Sequence, residues 1–121
     1  LFSTAERVAL ATEALGDVPN VRVMSYGGLT VDFVRSVNSR VIVRGLRAMY
    51  DFELEYQTAM TNQQLAPNVE IICLMTSLDH AFISSTVVKE VAMGGGPLEQ
   101  FVPAVVSEAL VSRLGPAVPG R

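Results

Sequence analysis

Residues 41–60 read VIVRGLRAMYDFELEYQTAM, and this stretch decides the fold. Its first three residues are apolar and β-branched, which predicts a short buried strand over residues 41–43. Residues 50–65 then predict a long helix, which ends before Pro67. Residues 70–75, EIICLM, predict a second buried strand. A strand, a helix and another strand in this order are typical of a parallel sheet.

Further elements are predicted on both sides of this stretch. A first helix begins with Ser3 as its N-cap and Glu6 three residues later, with Phe2 before the cap as a hydrophobic staple. The remaining expectations are a helix end near Leu15, a strand over Val21–Ser25, a helix over Leu29–Val37, a helix after Ser84–Thr86, a last helix over Pro103–Leu114 and a frayed tail over residues 115–121. Helices and strands that alternate in this way predict one α/β domain over residues 1–121 with a parallel sheet.

Composition narrows the class of protein. The chain has 121 residues, of which 50% are hydrophobic and 17% are charged, as in globular domains. Its net charge of −3 argues against a nucleic-acid binder, and the sequence contains no apolar stretch of membrane-spanning length. The single cysteine, Cys73, lies in an apolar run, which predicts a buried thiol in a reducing compartment.

Ligands of open α/β sheets bind beyond the carboxyl ends of the strands. Here the predicted strand ends lead into residues 25–28 (SYGG), residues 44–47 (RGLR) and residues 76–86, which finish with the hydroxyl run Ser84–Thr86. All three segments are polar, rich in glycine, or both. The sequence therefore predicts a binding crevice at this edge of the sheet.

Two arginines follow the first predicted strand. Gly45 would permit a tight turn after Arg44, and Arg47 follows three residues later. Two guanidinium groups at a strand end suit bidentate contacts to phosphate oxygens. An equally weighted alternative is that the arginines form ion pairs with carboxylates such as Asp51 or Glu55.

The hydroxyl run Ser84–Thr86 stands at a predicted helix start. The unpaired backbone N–H groups of a helix N-terminus attract phosphate, and neighbouring hydroxyls add donors. The alternative is an ordinary N-cap, although a cap needs one hydroxyl and three are present. His80, the single histidine, could contact a ligand near the run or lie simply at the surface; a zinc site is not expected.

Several motifs together resemble one enzyme family. They are RGLR at residues 44–47, DFELE at 51–55, FISST at 82–86 followed by Lys89-Glu90-Val91, FSTAER at 2–7 and FVP at 101–103. In this order and spacing the chain resembles the bacterial phosphopantetheine adenylyltransferases, of the nucleotidyltransferase superfamily, over residues 1–114. The resemblance implies a Rossmann-like parallel sheet with flanking helices.

The resemblance also implies an activity and its partners. Adenylyl would be transferred from ATP to 4′-phosphopantetheine, giving dephospho-coenzyme A and pyrophosphate, in coenzyme A biosynthesis. Mg²⁺ would accompany ATP, coenzyme A would be a further ligand, and the protein would be a cytoplasmic homohexamer. Carried over by position, Thr30 and Arg44 would bind phosphopantetheine. The positions that would bind ATP are Gly45, Leu46, Arg47, Glu55, His80, Ala81, Phe82, Ile83, Ser84, Ser85 and Thr86.

The sequence departs from the family pattern at one place. The family's first strand carries a Gly-Thr/Ser-Phe-Asp-Pro stretch followed by a Gly-His pair, and a substrate-binding lysine comes later. None of these has a counterpart here, so the chain is expected to represent the C-terminal three quarters of the family's domain, and no catalytic residue is assigned. Two alternatives stay open: an adenylyltransferase acting on nicotinamide mononucleotide, and a non-catalytic coenzyme A-binding or oligomeric fragment.

Overall fold

The computed structural model describes residues 1–115, apart from the side chains of residues 49 and 50. Within this range the elements are α1 (Thr4–Ala14), α2 (Thr30–Ser36), β1 (Val41–Leu46), α3 (Met49–Leu65), β2 (Glu70–Met75), α4 (Ser85–Met93) and α5 (Ala104–Leu114). They form two compact units, one of residues 26–82 and one that joins residues 1–25 to the segment after residue 82. The predicted frayed tail lies outside the described residues beyond Gly115.

The unit of residues 26–82 contains a parallel sheet, as the sequence predicts. Strands β1 and β2 pair in register, with Arg44 opposite Cys73 and Leu46 opposite Met75. The Glu70 N–H donates to the Arg40 carbonyl at 2.7 Å, and the Thr76 N–H donates to the Leu46 carbonyl at 2.8 Å. The α/β class with parallel strands is therefore confirmed.

A small apolar cluster holds the helices of this unit together. Val31 and Val34 of α2 are buried with Ala66 and Val69, which flank the end of α3, and Ile42 of β1 packs against them. Burial of these side chains removes apolar surface from water and ties α2 to the strand–helix–strand unit. Thr30, the first residue of α2, is thereby positioned beside the sheet.

The second unit has its own core between α4 and α5. Val88 and Ala92 lie one helical turn apart on α4 and are buried with Leu98 and Leu110. Phe2 and Phe101 pack against the same cluster. The helix over residues 103–114 predicted from the sequence is confirmed, with Pro103 as its N-cap residue.

The N-terminus of α1 has the predicted capping box. The Glu6 N–H donates to the Ser3 hydroxyl at 3.2 Å, and the Ser3 N–H donates to the Glu6 carboxylate at 2.7 Å. Glu6 also forms an ion pair with Arg113 of α5, and Arg113 lies over the Phe2 ring at 5.1 Å. The hydrogen bond from Arg113 lowers the pKa of Glu6 from 4.5 to about 2.

Two expectations about the strands were wrong. Residues 21–25 form no strand in the part of the chain that the structure describes, because the ladder of β1 and β2 includes no third segment and a strand needs a hydrogen-bonded neighbour. The strands are also mostly not buried: Val43, Leu74 and Cys73 are exposed, and Leu46 at the end of β1 is buried. Val43 and Leu74 lie on the face of the sheet away from α3, whereas Cys73 is paired with Arg44 on the face toward α3. Apolar runs in the sequence therefore did not predict burial on either face of this two-stranded sheet.

Strand β1 is longer than predicted and continues through Gly45 to Leu46. Gly45 therefore lies within the strand, and the expected tight turn after Arg44 was wrong. The parallel pairing explains the difference, because Gly45 is opposite Leu74 and the ladder continues one residue further. The glycine with a positive φ in this unit is Gly28, at 80°, before α2.

We expect Leu98→Ala to lower the free energy of unfolding by about 2–5 kcal/mol, because it opens a cavity in the core between α4 and α5. Leu98 is 2% exposed, whereas Leu78 is 91% exposed, so Leu78→Ala is the matched control. Urea unfolding followed by circular dichroism measures both. Equal midpoints for the two variants would contradict the placement of Leu98 in the core.

The Glu6 ion pair predicts a pH dependence of stability. Because the pKa is lower in the folded than in the unfolded chain, its stabilisation is complete above pH 4.5 and is lost as the pH falls toward 2. Glu6→Gln should therefore be less stable than the wild type at pH 6, and this deficit should shrink as the pH falls to 3. Urea midpoints across this range measure it, with Glu13→Gln of the same helix as the control. A deficit that is constant with pH would remove the ion pair as its cause.

Candidate functional site

Arg44 and Glu55 form a bidentate ion pair between β1 and α3. Arg44 Nε donates to one Glu55 oxygen at 3.0 Å, and Arg44 Nη2 donates to the other at 2.6 Å. The Arg44 side chain is 54% exposed, whereas that of Glu55 is 16% exposed. The carboxylate thus lies against the protein and the guanidinium points toward solvent.

This pair shifts the titration of both groups. The hydrogen bond from Arg44 lowers the pKa of Glu55, and the same bond raises the pKa of Arg44. Both groups are therefore held in their charged forms. At neutral pH the site presents a fixed positive group that is anchored from behind by a carboxylate.

A pocket of about 130 Å³ opens beside this pair. Its walls are Thr30, Ile42, Arg44, Glu55, Thr58, Ala59, Asn62 and Ile71. Hydroxyl and amide groups from two helices face an apolar floor that the sheet provides. This mixture of a few polar groups on an apolar wall is typical of small-molecule sites.

The pocket brings together Thr30 and Arg44, which the resemblance implies for 4′-phosphopantetheine, and Glu55, which it implies for ATP. Sequence reasoning missed Thr58 and Asn62. Their signal is helical periodicity, because they follow Glu55 at three and seven residues and so share its face of α3. Thr30 also exchanges a hydrogen bond with the Tyr26 hydroxyl at 2.8 Å, which restricts its side chain.

Arg47 is held by a second carboxylate of α3. Its backbone N–H and its Nε both contact Asp51 Oδ2, at 3.1 Å and 3.3 Å. The sequence left open whether the two arginines bind an anion or pair with Asp51 and Glu55, and the structure contains both ion pairs. Such pairs do not exclude phosphate, because each guanidinium has five N–H donors.

The other RGLR residues differ in exposure. Gly45 is exposed within the strand, and an added Cβ would meet no atom within 4 Å. Leu46 is buried, so its side chain faces the protein interior. A ligand contact by Leu46 would therefore have to use the backbone.

The loop after β2 carries the next predicted positions. His80 is exposed, and its Nδ1 lies 2.9 Å from the Ser77 hydroxyl. Phe82 is exposed and Ala81 half-buried. The contact with Ser77 restricts the orientation of the imidazole.

The hydroxyl run at the start of α4 divides its roles. Ser84 is the N-cap, and its hydroxyl accepts from the Val87 N–H at 3.2 Å. Ser85 and Thr86 are exposed, and their hydroxyls have no hydrogen-bond partner among the described residues. One hydroxyl therefore caps α4, which is nine residues long. The other two hydroxyls are available to a ligand at the N-terminus of this helix.

The predicted ATP positions fall in both compact units. The predicted positions from Gly45 to Phe82 belong to the unit of residues 26–82, and Ile83 with the hydroxyl run belongs to the other unit. A single ATP site built from Arg47 and Ser84–Thr86 stays a prediction. Among residues 1–115 no group of three or more His, Cys, Asp or Glu side chains is placed to hold a metal ion. No helix in this range is long and apolar enough to cross a membrane.

We expect Ser84→Ala to destabilise the protein by about 1 kcal/mol, because it removes the cap of α4. Ser85→Ala, the matched control one residue later, should change stability by less than about 0.5 kcal/mol. Thermal unfolding monitored at the helix signal compares the two variants. If both lose the same stability, Ser85 has a structural role that the contacts do not show.

Known proteins similar to this chain agree on one family. A family model described as Cytidylyltransferase-like matches residues 1–91. A phosphopantetheine adenylyltransferase of Thermomicrobium roseum is 52% identical over 93% of this chain and 68% of its own length. One from Roseiflexus sp. is 50% identical over 95% of the chain and 72% of its own length. One from Heliobacterium modesticaldum is 45% identical over 100% of the chain and 72% of its own length. The chain belongs to the phosphopantetheine adenylyltransferase family of cytidylyltransferase-like proteins.

Proposed function

We propose that this chain transfers adenylyl from ATP to 4′-phosphopantetheine, giving dephospho-coenzyme A and pyrophosphate. The observation that carries this proposal is the 52% identity to the Thermomicrobium roseum enzyme over 93% of the chain. The three relatives named above are all phosphopantetheine adenylyltransferases, which supports a role in coenzyme A biosynthesis.

The pocket beside Arg44 supports the acceptor half of the proposal. 4′-Phosphopantetheine combines a phosphate with a slender chain of amide groups. Arg44 offers guanidinium donors to the phosphate at the pocket mouth, and Thr58 and Asn62 offer hydroxyl and amide groups along the wall. In the proposal Thr30 and Arg44 bind this substrate.

The ATP half of the proposal rests on the exposed groups at α4 and on the RGLR segment. The exposed hydroxyls of Ser85 and Thr86 and the N–H groups of a nine-residue helix suit phosphate oxygens. Gly45 to Arg47, Glu55 and the loop from His80 to Ile83 complete the proposed ATP contacts. Adenylyl transfer needs no covalent group from the protein, so these residues would act by orienting ATP and by offsetting the charge that develops at phosphorus.

The proposal also includes the metal ion, the compartment, the assembly and a further ligand. Mg²⁺ would arrive as part of the nucleotide substrate, bound to the phosphates of ATP. The protein would act in the cytoplasm and assemble as a homohexamer, and coenzyme A would be a ligand. The exposed apolar side chains of the sheet, among them Val43, Ile72 and Leu74, are consistent with an assembly or a further segment that covers them.

We expect pyrophosphate release from Mg²⁺-ATP with 4′-phosphopantetheine as acceptor and none with nicotinamide mononucleotide. The reason is that the pocket combines an apolar floor with hydroxyl and amide groups, which suit the amide chain of 4′-phosphopantetheine. A coupled pyrophosphate assay measures both acceptors on the same preparation. Release with nicotinamide mononucleotide alone would contradict the proposed acceptor. Binding of coenzyme A without release of pyrophosphate from either acceptor would favour a non-catalytic role.

Arg44→Ala provides the site control for this assay. It removes the proposed phosphate donors and should raise the KM for 4′-phosphopantetheine about tenfold or more, as loss of a charge-assisted contact does. Asp32→Asn lies on the surface of α2 away from the pocket lining and should leave the KM unchanged. An Arg44→Ala enzyme with the wild-type KM would remove Arg44 from the acceptor site.

A further inference from the structure

The guanidinium of Arg44 has two edges that can each donate two parallel N–H groups. The Nε–Nη2 edge faces Glu55 and is fully used, with contacts of 3.0 Å and 2.6 Å. The Nη1–Nη2 edge has no hydrogen-bond partner in the part of the chain that the structure describes. One edge is therefore anchored, and the other remains available to a ligand on a side chain that lines the pocket and is 54% exposed.

The geometry points to a positioning role for Glu55: we propose that it fixes Arg44 so that the Nη1–Nη2 edge binds the phosphate of the acceptor in a bidentate manner. This inference rests on the proposed function, since the phosphate is that of 4′-phosphopantetheine. It assigns to Glu55 an effect through Arg44, in addition to any contact with ATP. Two parallel N–H groups of a planar guanidinium can donate to two oxygens of one phosphate. The orientation of the guanidinium therefore decides how many hydrogen bonds form.

The burial of the two partners supports this role. Glu55 is mostly buried on α3, whereas Arg44 is more than half exposed. An arginine side chain has four rotatable bonds, and holding it in one geometry costs conformational entropy when a ligand binds. The two hydrogen bonds to Glu55 hold the Arg44 side chain in one geometry before the ligand binds. The site is then preorganised, and the ligand does not have to order the side chain.

A purely electrostatic role makes the opposite prediction. Glu55 carries the same charge as phosphate, so removing that charge would strengthen phosphate binding if Glu55 acted only through its field. Loss of a positioning carboxylate weakens phosphate binding instead, because Arg44 becomes mobile. The sign of the effect therefore separates the two accounts. A direct role toward ATP would change ATP binding and leave the acceptor unaffected.

Calorimetry with 4′-phosphopantetheine and with pantetheine, which lacks the phosphate, tests the proposal. We expect Glu55→Gln to weaken binding of 4′-phosphopantetheine about tenfold, a typical size for coupled charged neighbours, and to leave pantetheine binding unchanged. Glu55→Asp keeps the charge but withdraws the carboxylate by one methylene, and it should weaken the phosphorylated ligand as well. Glu53→Gln removes an exposed charge from the same helix and should match the wild type.

A double-mutant cycle completes the experiment. In an Arg44→Ala background, Glu55→Gln should have no further effect on 4′-phosphopantetheine, because it acts through Arg44. Three results would overturn the positioning role: equal or tighter binding by Glu55→Gln, an equal loss for pantetheine, or a further loss in the Arg44→Ala background. Circular dichroism checks that each variant is folded, and Glu55→Asp carries the test if Glu55→Gln is not.

Failure of the proposed function gives a different result. In that case the wild-type chain neither binds 4′-phosphopantetheine nor releases pyrophosphate with it. The positioning role is then tested with inorganic phosphate as the probe against the same variants. Weaker phosphate binding by Glu55→Gln than by the wild type and Glu53→Gln would still support it, and equal or tighter binding would overturn it.

Discussion

The parallel pairing of β1 and β2 is the constraint on which the rest of the central unit depends. Two parallel strands need a connection that returns the chain to the starting end of the sheet. Here α3 provides it: 17 residues of helix span about 25 Å, against about 20 Å for the six residues of each strand. Residues 47–48 alone separate β1 from α3, so the helix begins beside the strand's carboxyl end. Its first turns must therefore face the last residues of β1.

This geometry explains why two arginines meet two carboxylates. Asp51 and Glu55 are four residues apart and so share one face of α3. Arg44 lies on the face of β1 that it shares with Ile42, toward the pocket, while Arg47 follows the strand. Each carboxylate reaches one arginine. The arrangement follows from the two-residue connection between β1 and α3, from the alternation of side chains along the strand and from the spacing of side chains along the helix.

Local sequence signals predicted local structure well. The capping box of Ser3 and Glu6, the long helix after RGLR and the cap at Ser84 each depend on contacts within four residues, and each is present. The burial of side chains and the pairing of strands depend on residues far apart in the sequence, and several predictions of these features were wrong. Residues 21–25 have the alternation of a strand without a neighbour in the ladder, and Cys73 lies in an apolar run yet is exposed. The extension of β1 through Gly45 was likewise decided by the partner strand.

The candidate site shows the same division. Arg44 is singled out in the sequence because it follows the apolar run of residues 41–43, although the strand continues past it to Leu46. Thr58 and Asn62 are recognised only from the face of α3 that lines the pocket. The charges of Arg44 and Glu55 cancel in sum, yet an approaching ligand does not meet them equally. The guanidinium is exposed and the carboxylate is covered, so an approaching anion meets the positive end of a fixed dipole first. Two opposite charges can therefore form an anion site when their burial differs, and net charge along the sequence does not reveal it.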